Sequence, residues 1–139
     1  MDVFTISDVA TVAGYEESTI RDWLKAAVLK PSVRPPSGRG REMLFSFDDA
    51  VAAGLCGSLR RQGVPISVLV KVGQELQRID VDLAEKYLVV SEQGVVFVDD
   101  ASAFLERKPD IYTVVDFRAA IDKFRKLVAA EKAKNAKSN

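Results

Sequence analysis

The sequence of 139 residues contains no histidine and only one cysteine, Cys56. Without histidine, imidazole acid/base catalysis, a Ser-His-Asp triad and histidine metal ligands are all excluded. One cysteine forms neither an internal disulfide nor a thiolate zinc cluster. We therefore expect no enzyme activity, no cofactor and no metal site, and we expect Cys56 to be an ordinary residue of a helix core.

The sequence also lacks long apolar runs and an excess of charge of either sign. No stretch approaches the roughly 18 apolar residues that a membrane-spanning helix requires, and residues 1–10 do not have the pattern of a secretory signal. We therefore expect a soluble, cytoplasmic protein without a membrane partner. Basic and acidic residues number 20 each, so the net charge is zero, which by itself argues against nucleic acid as a partner.

Two short helices are predicted near the N-terminus. Ser7 is a candidate N-cap for the first helix, and Gly14 ends it. The second is predicted over about 18–27, with apolar residues at helical spacing on one face. Its opposite face is polar and carries Ser18, Thr19, Arg21, Asp22 and Lys25. Two short helices joined by a glycine-containing turn are typical of a helix-turn-helix, although an ordinary helical corner with a solvated face is the alternative.

A basic loop follows the second helix directly. Residues 30–41 contain three prolines, two glycines and four cations, and no acidic residue. Such a loop can form a wing that lays arginines on phosphates or into the minor groove. The alternative is a flexible surface loop whose charge is incidental. The four cations are Lys30, Arg34, Arg39 and Arg41.

The next part of the chain is predicted to be helical again. A brief strand over 43–45 precedes a third helix with acidic residues in its first turn, and this helix ends near Gln62, before Gly63. Ser67 is the candidate cap of a fourth helix. These two helices complete the helical pattern that begins with the helix-turn-helix.

Beyond residue 80 the sequence becomes β-rich before it ends in a helix. Two β-branched runs, 87–90 and 95–98, predict a hairpin with a four-residue turn, and 111–115 is a candidate third strand. Asp116 caps the final helix, whose apolar side chains either cover the hairpin within one chain or pack across a two-fold axis. We favour dimerisation because a hairpin needs support. The predicted interface residues are Phe117, Ile121, Phe124 and Val128.

The first half of the chain resembles a known family. Residues 4–78 contain, in order, T-I-x-x-V-A-x-x-A-G, S-T-I-R-x-W, L-K-P, the basic loop, L-F-S-F-x-D and L-R-x-x-G-V-x-I. This series resembles the DNA-binding domain of the MerR family of winged helix-turn-helix regulators. The tail resembles, in overall pattern, that of small MerR-like repressors or antitoxin-type proteins.

The resemblance implies roles for particular residues. It implies that the second helix faces the major groove, that the basic loop is the wing, and that the L-R-R segment lies near the DNA backbone. Two positions depart from the family pattern, since Asp22 stands where an aromatic residue is common and Met43 where an arginine is common. The predicted DNA-binding residues are Ser18, Thr19, Arg21, Lys25, Arg34, Arg39, Arg41, Arg60 and Arg61.

The sequence thus predicts a mainly α protein with a small β component. We expect a winged helix-turn-helix domain over 1–79, an αβ dimerisation tail over 80–133 and a disordered basic tail over 134–139. The function we expect is that of a sequence-specific transcriptional regulator, a dimeric repressor without a ligand-sensing domain, bound to double-stranded DNA at the bacterial nucleoid. The alternative is an antitoxin or adaptor that binds a partner protein and autoregulates its operon.

Overall fold

The computed structural model describes residues 2–34, 42–100, 102 and 112–138. Within these residues it is mainly helical with one small antiparallel sheet, which confirms the predicted fold class. The elements, numbered in chain order, are α1 (Ile6–Ala13), α2 (Glu17–Lys25), α3 (Phe47–Arg61), α4 (Ile66–Arg78), β1 (Tyr87–Ser91), β2 (Gly94–Val98), β3 (Tyr112–Asp116) and α5 (Phe117–Ser138).

Helices α1 and α3 begin with the same capping box. At α1 the Thr5 hydroxyl accepts the Asp8 N–H, and the Asp8 carboxylate accepts the Thr5 N–H at 2.9 Å. Ser46 and Asp49 form the same reciprocal pair at α3. The N-cap predicted at Ser7 is therefore two residues too late, because only the earlier spacing satisfies two backbone N–H groups at once.

Helices α1, α2 and α3 end with a residue in the left-handed region. Gly14 and Gly63 have φ angles of 78° and 95°, as expected for glycine after a helix. Ala27, which follows α2, has the same geometry with a φ of 67°. The Val28 N–H then donates to the Trp23 carbonyl at 2.9 Å, which closes the turn after α2.

The core is built around α3, which is approached closely from two sides. A Cβ at Gly54 would lie 2.5 Å from the Phe124 ring of α5, and a Cβ at Gly57 would lie 2.3 Å from the Ala13 carbonyl oxygen of α1. The two glycines thus let α5 and the end of α1 come closer to α3 than any side chain would allow. The region of the predicted helix-turn-helix and the final helix consequently share one core.

The sheet has the strand order β2-β1-β3, and β1 is antiparallel to both neighbours. Ser91 pairs with Gly94, so the hairpin turn holds two residues rather than the predicted four. The third strand, predicted over 111–115, is present as Tyr112–Asp116, and residue 111 lies outside the described residues. Leu88 and Val90 are buried in the core, which places the sheet over α4 and α5.

The face of α5 that was predicted to form a dimer interface is buried inside the chain. Phe117, Ile121, Phe124 and Val128 are between 0% and 3% exposed. They belong to the core of the chain itself, where Phe124 meets Gly54 of α3 and the Phe117 ring packs on Phe97 of β2. The prediction that these four residues contact a second chain is therefore wrong. A helical apolar stripe looks the same in sequence whether it meets its own chain or another one.

The end of α5 also differs from the prediction. Its backbone is helical to Ser138, whereas the sequence was expected to be disordered over 134–139. Over residues 129–138, seven of the ten residues are alanine or lysine, and both are good helix formers. No helix among the described residues is both long and apolar enough to cross a membrane.

Candidate nucleic-acid interface

Helix α2 is fixed to the protein along one face only. Ile20 and Trp23 are buried, and the Trp23 ring packs against Tyr15 with 5.2 Å between centroids. Leu24 is half-buried beside them. The orientation of α2 is thus set by apolar packing, which leaves its polar residues directed outward.

The outward face of α2 presents hydroxyl and cationic groups together. Ser18, Arg21 and Lys25 are exposed and lie three and four residues apart, so they form one strip along the helix. Thr19 is half-buried at the edge of this strip. Arg21 approaches Glu17 at 3.8 Å, but both side chains are about half exposed, and such a long surface pair contributes little free energy. Arg21 is therefore able to change partner at small cost.

An acidic group lies on the same face. Asp22 is exposed directly beside Arg21 in the sequence. A carboxylate repels phosphates and accepts a hydrogen bond from the cytosine amino group in the major groove. If this face meets DNA, Asp22 would therefore lower the general affinity while it leaves base recognition possible.

The two ends of the basic loop are held together as the stem of a hairpin. Arg34 and Leu44 exchange backbone hydrogen bonds of 3.0 and 2.9 Å, and Phe45 exchanges a similar pair with Phe4. The brief strand predicted over 43–45 is present as these two bridges. The Arg34 guanidinium donates through Nε to the Glu42 carbonyl at 2.6 Å, which ties it to the loop backbone.

The rest of the predicted wing lies outside the described residues. This applies to Arg39 and Arg41, whose predicted contacts with DNA therefore stay predictions. Lys30 is described and exposed. The described part of the loop thus offers Lys30 and the stem residue Arg34.

Arg61 has a structural role that the sequence did not reveal. Its Nη1 donates to the Ala13 carbonyl at 2.7 Å, and its guanidinium lies 5.6 Å from the centre of the Tyr15 ring. Arg61 thereby fastens the turn between α1 and α2 to the end of α3. Arg60 donates to the Val64 carbonyl at 3.2 Å. Both arginines remain exposed, and their predicted contact with the DNA backbone is not tested.

The other end of α2 is fixed by a glycine that the sequence analysis also overlooked. A Cβ at Gly73 of α4 would lie only 2.0 Å from the Val28 carbonyl oxygen. The segment that leaves α2 is thus seated directly on α4. A glycine inside a helical pattern is the signal for such a close approach, although it does not identify the partner.

The geometry agrees with what comparison with known families finds. A family model described as MerR HTH family regulatory protein matches residues 4–76, which is 73 of the 139 residues and therefore just over half of the chain. The matched region begins two residues before α1 and ends in the last turn of α4, and it confirms the resemblance seen in the sequence motifs. No curated protein matches the chain significantly.

Proposed function

The chain belongs to the MerR family of helix-turn-helix regulatory proteins, and from this we propose that it is a transcriptional regulator that binds specific sites on double-stranded DNA. The observation that carries the proposal is the outward strip of Ser18, Arg21 and Lys25 on a helix whose opposite face is buried. A helix held in this way fits the major groove, where arginine pairs with guanine and hydroxyls bond to base edges or phosphates.

In this proposal, different parts of the protein supply affinity and specificity. Lysines and arginines of the loop and of α2 neutralise phosphates and release counterions, which makes binding weaker at higher salt. The side chains at positions 18, 19, 21 and 25 select the site through base edges. Asp22 and Glu17 limit the general attraction, so base contacts decide where the protein binds.

We further propose that the protein acts as a dimer and represses by occupying promoter DNA. One α2 contacts only a short stretch of DNA, and a two-fold partner would place a second copy one turn away, about 34–36 Å along the duplex. The dimer contact lies elsewhere than on Phe117, Ile121, Phe124 and Val128, since these are buried in the chain. Such a regulator would act in the cytoplasm, at the nucleoid when bound.

A gel-shift experiment with the DNA upstream of the protein's own gene tests the proposal. We expect a shifted band that an excess of the same duplex removes and an excess of a scrambled duplex of equal composition does not. The experiment is run at low and at moderate salt, because weak phosphate contacts are lost as salt increases. Absence of a sequence-specific shift at both would contradict the proposal, and a co-purified second protein would then favour the antitoxin or adaptor alternative.

A further inference from the structure

A cavity of about 820 Å³ lies away from the outward face of α2. It opens between residues 28–32, the first turns of α3, the end of α4 with residues 79–82, and α5. None of Ser18, Arg21 and Lys25 is among the described residues that line it. Its volume is within the range of about 300–1,000 Å³ that small-molecule sites occupy.

The floor of the cavity is apolar. Val28, Val51 and Ile121 line it but are each at most 5% exposed, so the apolar surface open to a ligand comes mainly from half-buried neighbours such as Leu76 and Ile79. These groups come from α3, α4, α5 and the segment after α2, so the floor belongs to the shared core. A ligand seated on it would bury an apolar body, which is the main source of affinity in such sites.

The rim of the cavity is acidic. Four carboxylates and two cations line the cavity, for a formal charge of −2, and these six residues are Asp48, Asp49, Asp80, Asp82, Lys30 and Arg125. The charge of Arg125 is already compensated, because its Nη2 lies 3.0 Å from Asp82. Asp49 accepts hydrogen bonds from the N–H and the hydroxyl of Ser32 and from the N–H of Ser46, which are neutral donors and leave its negative charge in place.

These carboxylates are not arranged for a metal ion. Among the described residues no three acidic or cysteine side chains come together closely enough to hold one. Calcium and magnesium need several oxygen ligands that converge on one point. A negative rim without such a point, above an apolar floor, is complementary to a molecule that carries one positive charge. We propose that this cavity binds an amphipathic organic cation, in which an ammonium or guanidinium group is attached to an apolar body.

The walls of the cavity connect this site to α2. On one side, Arg118 of α5 donates to the carbonyls of Val81, Asp82 and Ala84, which holds the wall formed by residues 79–82. On the other side, residues 28–32 follow α2 directly, and Gly73 meets the Val28 carbonyl. A ligand that contacts both walls therefore also contacts residues 28–32, which help to hold α2 in place. Binding of the ligand is then expected to change the affinity for DNA. This last step rests on the proposed function, whereas binding of the cation does not.

Binding is tested on the full chain, without DNA, by following backbone amide shifts in NMR spectra. Three probes share one phenyl body: phenethylammonium is cationic, phenethyl alcohol is neutral and phenylacetate is anionic. We expect saturable shifts at lining residues such as Ala52 and Gln77, with the cation bound at least tenfold more tightly than the anion. Equal binding of the three probes, shifts located elsewhere, or no saturable shift would each overturn the proposal.

Single carboxylate substitutions test the charge argument. Asp48→Asn and Asp80→Asn each remove one exposed rim charge without removing a buried group, and we expect each to weaken phenethylammonium binding about threefold to fivefold. Glu92→Gln is the matched control, because Glu92 is equally exposed but lies in the hairpin turn. Amide dispersion in the same spectra reports that each variant is folded. Unchanged affinity in both rim variants would contradict recognition of a cation.

The coupling to DNA is measured separately. The affinity for the specific duplex is determined with and without saturating phenethylammonium, with ionic strength matched by sodium chloride. We expect a change of at least about threefold, because residues 28–32, which line the cavity, lie just after α2 in the chain. An unchanged affinity would refute the coupling. Failure of the protein to bind DNA at all would refute the proposed function and leave the NMR result standing.

Discussion

Arg21 is the side chain whose removal most cleanly separates DNA recognition from folding. If it pairs with a guanine, Arg21→Ala should cost about 1–3 kcal/mol of DNA-binding free energy. The free energy of unfolding should change little, because the side chain is 52% exposed and its ion pair with Glu17 is a long one, at 3.8 Å. Arg78→Ala is the matched control, since Arg78 is also an exposed arginine paired within one turn to a glutamate, on α4. Unchanged DNA affinity of the Arg21 variant in an anisotropy titration would remove this residue from the interface.

Ala27 occupies a position where glycine is favoured. Its φ of 67° costs an L-residue about 1–2 kcal/mol, part of which glycine returns through its greater freedom in the unfolded chain. Ala27→Gly should therefore raise the free energy of unfolding by about 0.5–1 kcal/mol. The neighbouring Ala26 has an ordinary helical φ of −79°, so Ala26→Gly should lower it by a similar amount. The free energies of unfolding are measured with urea. If both variants changed in the same direction relative to the wild type, the strain assigned to Ala27 would be contradicted.

Cys56 is chemically silent in the folded protein. Burial raises the pKa of its thiol to about 12, because the thiolate would lose its hydration inside the core. We expect no reaction with Ellman's reagent at pH 8 in the native state and complete reaction in guanidinium chloride. Rapid reaction of the native protein would show that the α3 core opens.

The same thiol makes stability depend on pH in the alkaline range. In the unfolded chain the thiol ionises near pH 9, whereas in the folded chain it keeps its proton to about pH 12. The unfolded state therefore binds fewer protons between these values, and stability falls as pH rises from 9 toward 12. Relative to Cys56→Ala, the wild type should lose about 1 kcal/mol between pH 8 and pH 10. If the difference in unfolding free energy between the wild type and Cys56→Ala stayed constant from pH 8 to pH 10, the raised pKa of the thiol would be contradicted.

At the scale of elements, α5 is a wall of the core rather than a free dimer helix. Phe124→Ala should destabilise the protein by about 3–5 kcal/mol, because its ring fills the space left by Gly54. Leu127→Ala on the same helix should cost less than about 0.5 kcal/mol, since Leu127 is 44% exposed. Thermal unfolding of the two variants measures these losses of stability. Similar small losses for both variants would mean that α5 is not packed on α3.

The local signals in the sequence predicted the elements well, but not their partners. Glycines at the ends of α1 and α3, and the apolar spacing of Ile20 and Trp23, act through nearest neighbours and are readable along the chain. The packing partner of Phe124 could not be read from the sequence, because a stripe of apolar residues carries no information about what it packs against. The seat of Val28 on Gly73 is a contact between residues far apart in sequence, which no local pattern specifies.

The candidate site was predictable to a similar degree. The polar strip of α2 follows from helical periodicity, and the motifs that resemble the MerR family are matched by the family model. The role of Arg61 was not predictable, since its hydrogen bond spans 48 residues to Ala13. The cavity was also invisible in sequence, because its floor is assembled from four separate segments.

At the scale of the whole molecule, zero net charge does not argue against DNA. Residues 30–41 hold four cations and no acid, while four carboxylates gather around the cavity. The potential at one surface, rather than the total charge, governs the attraction of a polyanion. A balanced total implies modest non-specific affinity, so the proposed function would depend on base contacts and on a second copy.

The dimer itself is tested by mass. The chain has a mass of 15.2 kDa, so static light scattering on the purified protein should give twice that value, 30.4 kDa. Two copies are expected because paired recognition helices bind one face of the duplex together. A mass of 15.2 kDa both free and with the specific duplex bound would contradict the dimer. Substitution of Phe124 does not serve here, because it disturbs the core of each chain.

The proposed function requires that this protein select a DNA sequence through α2. The most direct measurement compares its affinity for the upstream duplex and for a scrambled duplex by fluorescence anisotropy at about 50 and 200 mM salt. We predict that both affinities fall with salt, and that the specific duplex stays at least about 10³-fold tighter at the higher salt. Equal affinities for the two duplexes at both salt concentrations would contradict the account.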